Sequence, residues 1–149
     1  MSYIAQEQRE LLATVLAKAK FFAVQADGCS DSGNVEVFSV MYFDPCATDG
    51  KINTHDQFLA VRKPTSANAA GLFECFTRAL SHSSITDSEG NLIGFGCDNV
   101  NLGAHGLRGH IEESVPWVVF FWCLAHHLEL LLKDALNNIH ISQIAPKLL

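Results

Sequence analysis

Three short apolar segments follow one another closely in the first half of the chain, and they constrain the fold more than any other feature. They occupy residues 21–27, 35–43 and 52–61, and the segments between them contain turn signals such as Asp44-Pro45 and Asp49-Gly50. Connections this short join strands that run in opposite directions. The sequence therefore predicts a unit of three antiparallel strands.

Helical periodicity flanks this unit and then alternates with two further apolar segments. Helices are predicted over residues 4–19, 67–80, 104–113 and 123–136, and strands over residues 92–97 and 116–122. The predicted order is α, β, β, β, α, β, α, β, α. Three antiparallel strands followed by alternating helices and strands predict an α/β fold, with a mixed sheet covered by helices.

Composition and charge limit what such a domain can bind. Of the 149 residues, 48% are hydrophobic and 17% are charged, which excludes an intrinsically disordered chain. The chain has ten Lys and Arg residues and 16 Asp and Glu residues, and the basic residues form no run. Because tight nucleic-acid binding depends on cations that neutralise phosphates, we expect this chain alone to bind DNA weakly if at all.

Cysteine usage and hydropathy indicate the compartment. The five cysteines are scattered with no C-x-x-C pair, and the first seven residues do not resemble a signal peptide. We therefore expect a reduced, intracellular protein. The longest apolar run, residues 116–125, is too short to cross a bilayer, so no membrane association is expected.

Two aspartates follow predicted buried strands and are candidate metal ligands. Asp27 ends the first predicted strand and Asp98 follows the fourth, and we expect these two strands to lie side by side in the sheet. Ligands of open α/β sheets gather outside the carboxyl ends of strands, and carboxylates there suit Mg²⁺ or Mn²⁺. The alternative is that each aspartate simply begins a turn.

Three motifs in order resemble the catalytic core of the hAT superfamily of DNA transposases, which has an RNase H-like fold. The first is FAVQADGCSD (22–31), similar to a strand that ends in a D-x-S/T-x-D-type motif whose second aspartate matches Asp31. The second is GFGCD (94–98) followed by LGAHGL (102–107). The third is WCLAHHLEL (122–130), similar to an H-C-x-x-H-x-L-N-L motif through Cys123 and His126. The resemblance covers roughly residues 4–138.

This resemblance implies roles for Asp27 and Asp98 as the first two carboxylates of a D-D-E triad. Such a triad holds two Mg²⁺ or Mn²⁺ ions that stabilise the attacking and leaving oxygens of a phosphodiester. The glutamate of the family lies far beyond the C-x-x-H helix, and no residue here matches it. We therefore expect an RNase H-like domain truncated before the third catalytic acid: an N-terminal helix (1–20), a partial transposase domain (21–138) and a tail (139–149). The family also implies a nuclear location.

Two functions follow as expectations. The first is a transposase-derived domain without catalysis of its own that acts as an interaction module, through a protein partner or self-association. The alternative is a metal-dependent DNA nuclease or strand transferase within a longer hAT-type transposase. The first predicts exposed apolar side chains on the final helix, namely Leu128, Leu131, Leu132, Leu136 and Ile139.

Three smaller expectations concern the last helix and the aromatic residues of the predicted strands. Cys123 and His126 have the spacing of half a zinc site, but a packed cysteine and a hydrogen-bonded histidine, or a cysteine nucleophile with a histidine base, fit the same spacing. Glu129 could replace the missing acid, although a solvated helix position is the simpler interpretation. Aromatic residues on the predicted strands, Phe21, Phe22, Trp117, Phe120, Phe121 and Trp122, are expected in the core.

Overall fold

The computed structural model describes residues 3–29, 35–44, 53–83, 85, 88–97 and 106–138. The helices are α1 (Tyr3–Lys18), α2 (Ala69–His82), α3 (Ser88–Asn91), α4 (Leu107–Ser114) and α5 (Leu124–Asn138). The strands are β1 (Phe22–Cys29), β2 (Val35–Phe43), β3 (Thr54–Arg62), β4 (Leu92–Cys97) and β5 (Val119–Trp122). No helix in these ranges is long and apolar enough to cross a membrane.

The five strands form one mixed sheet in the order β3-β2-β1-β4-β5. The first three strands pair antiparallel, as their short connections predict, whereas β4 pairs parallel to β1 and β5 parallel to β4. The predicted α/β class with a mixed sheet is confirmed. The parallel strands belong to the half of the chain in which helices alternate with strands, because a parallel pair needs a crossover connection.

One face of the sheet carries the hydrophobic core. Side chains alternate along a strand, and Phe22, Val24 and Ala26 of β1 are buried on this face. Helices α1, α2 and α4 add buried side chains to the same cluster. The ring of Phe76 on α2 lies 6.2 Å from Phe38 and 5.1 Å from Phe95, so α2 joins the antiparallel and parallel halves of the sheet.

The opposite face of the sheet, which we call the open face, is partly exposed to solvent. Cross-strand register places Phe58, Ser39, Gln25, Gly96 and Phe121 in one row across all five strands. The large apolar side chains exposed on this face are Met41, Phe43, Phe58, Val61, Val119 and Phe121. The ring of Phe121 folds back over Gly96, since a Cβ atom at Gly96 would lie 2.9 Å from Cδ2 of Phe121.

The expectation that all six strand aromatics lie in the core is wrong. Phe22 is buried and Phe120 packs partly against the core, but Phe21, Trp117, Phe121 and Trp122 are exposed. For Trp117, Phe121 and Trp122 the reason is that β5 has four residues rather than seven and is the outer strand of the described sheet, so it has a neighbour on one side only. Phe21 lies just before the first residue of β1. Sequence periodicity does not distinguish such an edge strand from a central one.

Candidate functional site

The carboxyl ends of β1, β4 and β5 meet at one edge of the sheet and form the candidate site. Ala26 is the register partner of Cys97, and Cys97 is in turn the partner of Trp122. The expectation that the first and fourth strands are neighbours is therefore confirmed. Parallel neighbours end at the same side of a sheet, which is where α/β folds bind ligands.

Asp27 lies at this edge, but inside β1 rather than at its end. The strand continues through Gly28 to Cys29, because β2 pairs with it up to the register pair of Cys29 and Val35. Asp27 is exposed, and strand alternation after the buried Ala26 directs its carboxylate to the open face. It is therefore accessible to solvent and to ligands.

Glu36 is an acidic residue at the same end of the sheet that sequence reasoning missed. It is the register partner of Gly28, and a Cβ atom on Gly28 would lie 3.3 Å from Oε1 of Glu36. The negative charge of Glu36, after burial, raises the pKa of the Cys75 thiol on α2. Glu36 thus belongs to the core face, whereas Asp27 belongs to the open face, so strand alternation separates the two carboxylates.

Cys123 connects the strand ends to α5. Its backbone N–H donates to the carbonyl oxygen of Cys97 at 3.1 Å, and its own carbonyl accepts from the N–H of His127 at 3.1 Å. The side chains of Cys123 and His126 are both half-buried. The Cys-x-x-His pair therefore lies at the candidate site, at the start of the final helix.

His127 is a further residue at this place that the motif comparison did not select. Its ring stacks on Trp122 at a centroid distance of 4.8 Å and an interplanar angle of 19°. Its Nε2 atom is buried and has no hydrogen-bond partner among the residues that the structure describes. Leaving such an atom unpaired costs about 1–3 kcal/mol, so a ligand group that reached it would be stabilised. A signal for His127 was present only as the second histidine of the His126-His127 pair.

The described residues do not form a complete metal site. Within the ranges of the chain given above, no three His, Cys, Asp or Glu side chains converge in a way that could hold an ion. Asp98, Asp31 and the side chain of Cys29 lie outside the described residues. The Mg²⁺ or Mn²⁺ site at Asp27 and Asp98 and the zinc site at Cys123 and His126 remain predictions.

Glu129 is a solvated helix position, as the simpler interpretation predicted. Its carboxylate is exposed and pairs with Nζ of Lys133, one turn later, at 2.6 Å. The hydrogen bond from Lys133, together with the charge of Lys133, lowers the pKa of Glu129. The residue is therefore a surface carboxylate paired with the lysine one turn later on the same helix.

The apolar face of α5 is exposed, which confirms the prediction for its leucines. We call this surface the α5 stripe, and it consists of Leu124, Leu128, Leu131, Leu132 and Leu136, whose exposed fractions are 52–72%. Ile139 lies outside the described residues. An amphipathic helix with a bare apolar face lacks the packing that normally supplies most of its stability.

Comparison with known proteins gives no family assignment: no family model matches the chain, and no curated protein matches its sequence.

Proposed function

We propose that this chain is an RNase H-like domain derived from an hAT-type transposase, and that it acts as an interaction module rather than as an enzyme. The three antiparallel strands followed by two parallel ones support the RNase H-like assignment, because the resemblance in the three motifs implies this order. A nuclear location belongs to the same proposal. The occupant that we propose for the interaction surface is a second copy of the chain.

The observation that carries this proposal is the exposure of two large apolar surfaces in one small domain, namely the α5 stripe and the open face. Monomeric proteins rarely expose a contiguous apolar patch larger than about 300–600 Å². Burying the exposed part of each leucine of the α5 stripe contributes about 1–2 kcal/mol. Five leucines therefore favour association by about 5–10 kcal/mol before the entropy cost of association is counted.

The area available also matches what a stable dimer needs. At about 25 cal/mol per Å², the same 1–2 kcal/mol corresponds to about 40–80 Å² for each side chain. The five leucines of the α5 stripe and the six exposed apolar residues of the open face therefore offer about 440–880 Å² per copy. A standard interface buries about 800 Å² on each partner. Each copy carries both surfaces among its described residues. In a symmetric pair, the α5 stripe of each copy therefore packs on the open face of the other copy.

Sedimentation velocity on the wild type and on Leu132→Glu tests this proposal. We expect the wild type to sediment as a dimer at about 10 µM, and Leu132→Glu to weaken dimerisation at least tenfold, because a charge would be buried in the interface. The matched control is Leu11→Glu, since Leu11 is an exposed leucine on α1, outside both surfaces. A wild type that stays monomeric and binds no hydrophobic dye would overturn the proposal, as would equal effects of the two substitutions.

A metal-dependent DNA nuclease or strand transferase is the second candidate function, favoured by one observation. Asp27 follows Ala26, the register partner of Cys97, and Asp98 is the next residue after Cys97. In the arrangement that the resemblance to hAT transposases implies, these two carboxylates hold a bridging Mg²⁺ or Mn²⁺ ion between them.

Cleavage of supercoiled plasmid DNA with Mg²⁺ or Mn²⁺ separates the two candidates. The interaction module predicts no cleavage above the level of Asp27→Asn and Asp98→Asn. Cleavage by the wild type that both substitutions abolish, with Asp56→Asn as the control for an exposed acid elsewhere on the sheet, would establish the nuclease instead.

A further inference from the structure

A groove of about 740 Å³ runs between α1 and β3, on the side of the sheet remote from the candidate site. Gln8, Arg9 and Leu12 of α1 form one wall, His82 of α2 lies against it, and residues 56–62 of β3 form the other wall. Successive residues of a strand point to opposite faces, so a groove lined by seven consecutive residues follows the edge of the strand. The volume of this groove lies within the range of pockets that bind small ligands.

The edge that lines this groove can accept a further strand. β3 is the outer strand of the described sheet, so the backbone N–H and C=O groups of its outer edge have no strand partner within the described part of the chain. A β-bulge interrupts its pairing with β2, because Phe58 and Ala60 pair with consecutive β2 residues and Leu59 is the extra residue. Leu59 and Ala60 are both buried and, with Leu12, give the groove an apolar floor.

Two arginines, Arg9 and Arg62, supply positive charge at the end of the groove near His82. Nη1 of Arg9 donates to Nε2 of His82 at 2.6 Å, which requires that nitrogen of the imidazole to be unprotonated. Burial and then the positive charges of Arg62 and Arg9 lower the pKa of His82. Asp56, the acidic residue that lines the groove, comes from the other end of the β3 segment.

We propose that this groove binds an extended peptide that carries a carboxylate, by adding the peptide as a sixth strand along β3 with its carboxylate on Arg9 and Arg62. Backbone hydrogen bonds to β3 hold the peptide, and its alternate side chains contact the apolar floor. The guanidinium groups bind the carboxylate through charge-assisted hydrogen bonds. Arg9 and Arg62 both line the groove, and Glu36 is the register partner of Arg62 on β2.

The occupant follows from the shape and charge of the groove. Seven strand residues span about 23 Å, which is the length of an extended peptide of about seven residues. A compact small molecule would leave the strand edge unpaired, and a cationic peptide would face two arginines. An acidic peptide pairs with the strand edge and places its carboxylate beside the two arginines that line the groove.

A library of peptides of about eight randomised residues, displayed against the full chain, tests the proposal. We expect enrichment of sequences that alternate β-branched residues and carry Glu or Asp near one end. The best sequence is then synthesised in three forms: unchanged, with Gln or Asn in place of its acids, and with alternate backbone amides N-methylated. Loss of the charge should weaken binding about tenfold, and N-methylation should abolish it.

Protein variants locate the site. Arg62→Gln and Arg9→Gln should each weaken binding of the unchanged peptide about tenfold. Arg78→Gln is the control, because Arg78 is an exposed arginine on α2 that pairs with Glu74 outside the groove. The proposal is overturned if no peptide is enriched, if the N-methylated peptide binds as well as the unchanged one, or if Arg78→Gln weakens binding as much as Arg62→Gln.

Discussion

Gly71 and Gly90 both lie in helices, but the space around their Cα atoms differs. A Cβ atom on Gly71 would overlap the backbone oxygen and the hydroxyl of Ser66 and would lie 2.8 Å from the Ser66 nitrogen, whereas one on Gly90 would meet no atom within 4 Å. The Gly71 N–H also donates to Oδ1 of Asn68, which caps α2, at 2.9 Å. Gly71 therefore allows the chain to turn tightly into the helix.

We predict that Gly71→Ala lowers the free energy of unfolding by about 1–3 kcal/mol, because the Ser66 backbone must move and the cap is disturbed. Gly90→Ala is the matched control and should be neutral or stabilise by up to about 1 kcal/mol, since alanine restricts the unfolded chain. Urea denaturation of both variants measures the difference. Equal midpoints for Gly71→Ala and the wild type would refute this account of the α2 start.

At the scale of elements, the ends of a strand were predicted correctly where turn residues flank an apolar run on both sides. The predicted bounds of β2 and β4 agree with the structure, because turn residues flank both runs. β1 extends two residues beyond its prediction, since pairing with β2 carries Gly28 and Cys29 into the strand. The single helical turn of α3 lies between the predicted helix 67–80 and the predicted strand 92–97, where no element is predicted, because four residues are too few to show a helical period.

Exposure of an element was harder to predict than its existence. The exposure of Leu128, Leu131, Leu132 and Leu136 was predicted correctly, whereas Leu124 was not part of that prediction. The outer position of β5 was missed, since periodicity describes a strand and not its neighbours in the sheet. The groove beside β3 was missed for the same reason, because Arg9, Arg62 and His82 are far apart in sequence and meet only in the fold.

At the scale of the whole molecule, the order of elements predicted which strands meet but not which carboxylates converge. The parallel neighbours β1 and β4 follow from the alternation of helices and strands in the second half of the chain. Whether Asp27 and Glu36 act together depends on strand alternation and exact register, which place them on opposite faces. A shift of one residue in the pairing of β1 with β2 would place both carboxylates on the same face of the sheet. Composition does not determine strand register to one residue.

His82 connects three parts of the fold and makes overall stability depend on pH. It ends α2, accepts a hydrogen bond from Arg9 of α1, and lies near Arg62 of β3. Its pKa in the folded chain is lowered below the ordinary value of 6.5 by burial and by these two arginines. As the pH falls below 6.5, the unfolded chain therefore binds a proton at His82 before the folded chain does, so the free energy of unfolding decreases and then levels off below the folded pKa.

We predict that Arg62→Gln raises the pKa of His82 toward 6.5, whereas Arg78→Gln leaves it unchanged. Proton NMR titration of the His82 ring between about pH 5 and 8 measures this directly. His82→Gln should correspondingly remove part of the loss of stability on acidification, by no more than about 0.5 kcal/mol because the side chain is exposed and solvent screens its charge. A His82 that titrates at or above 6.5 in the wild type would show that the arginines do not act on it, and the cationic end of the groove would lose its support.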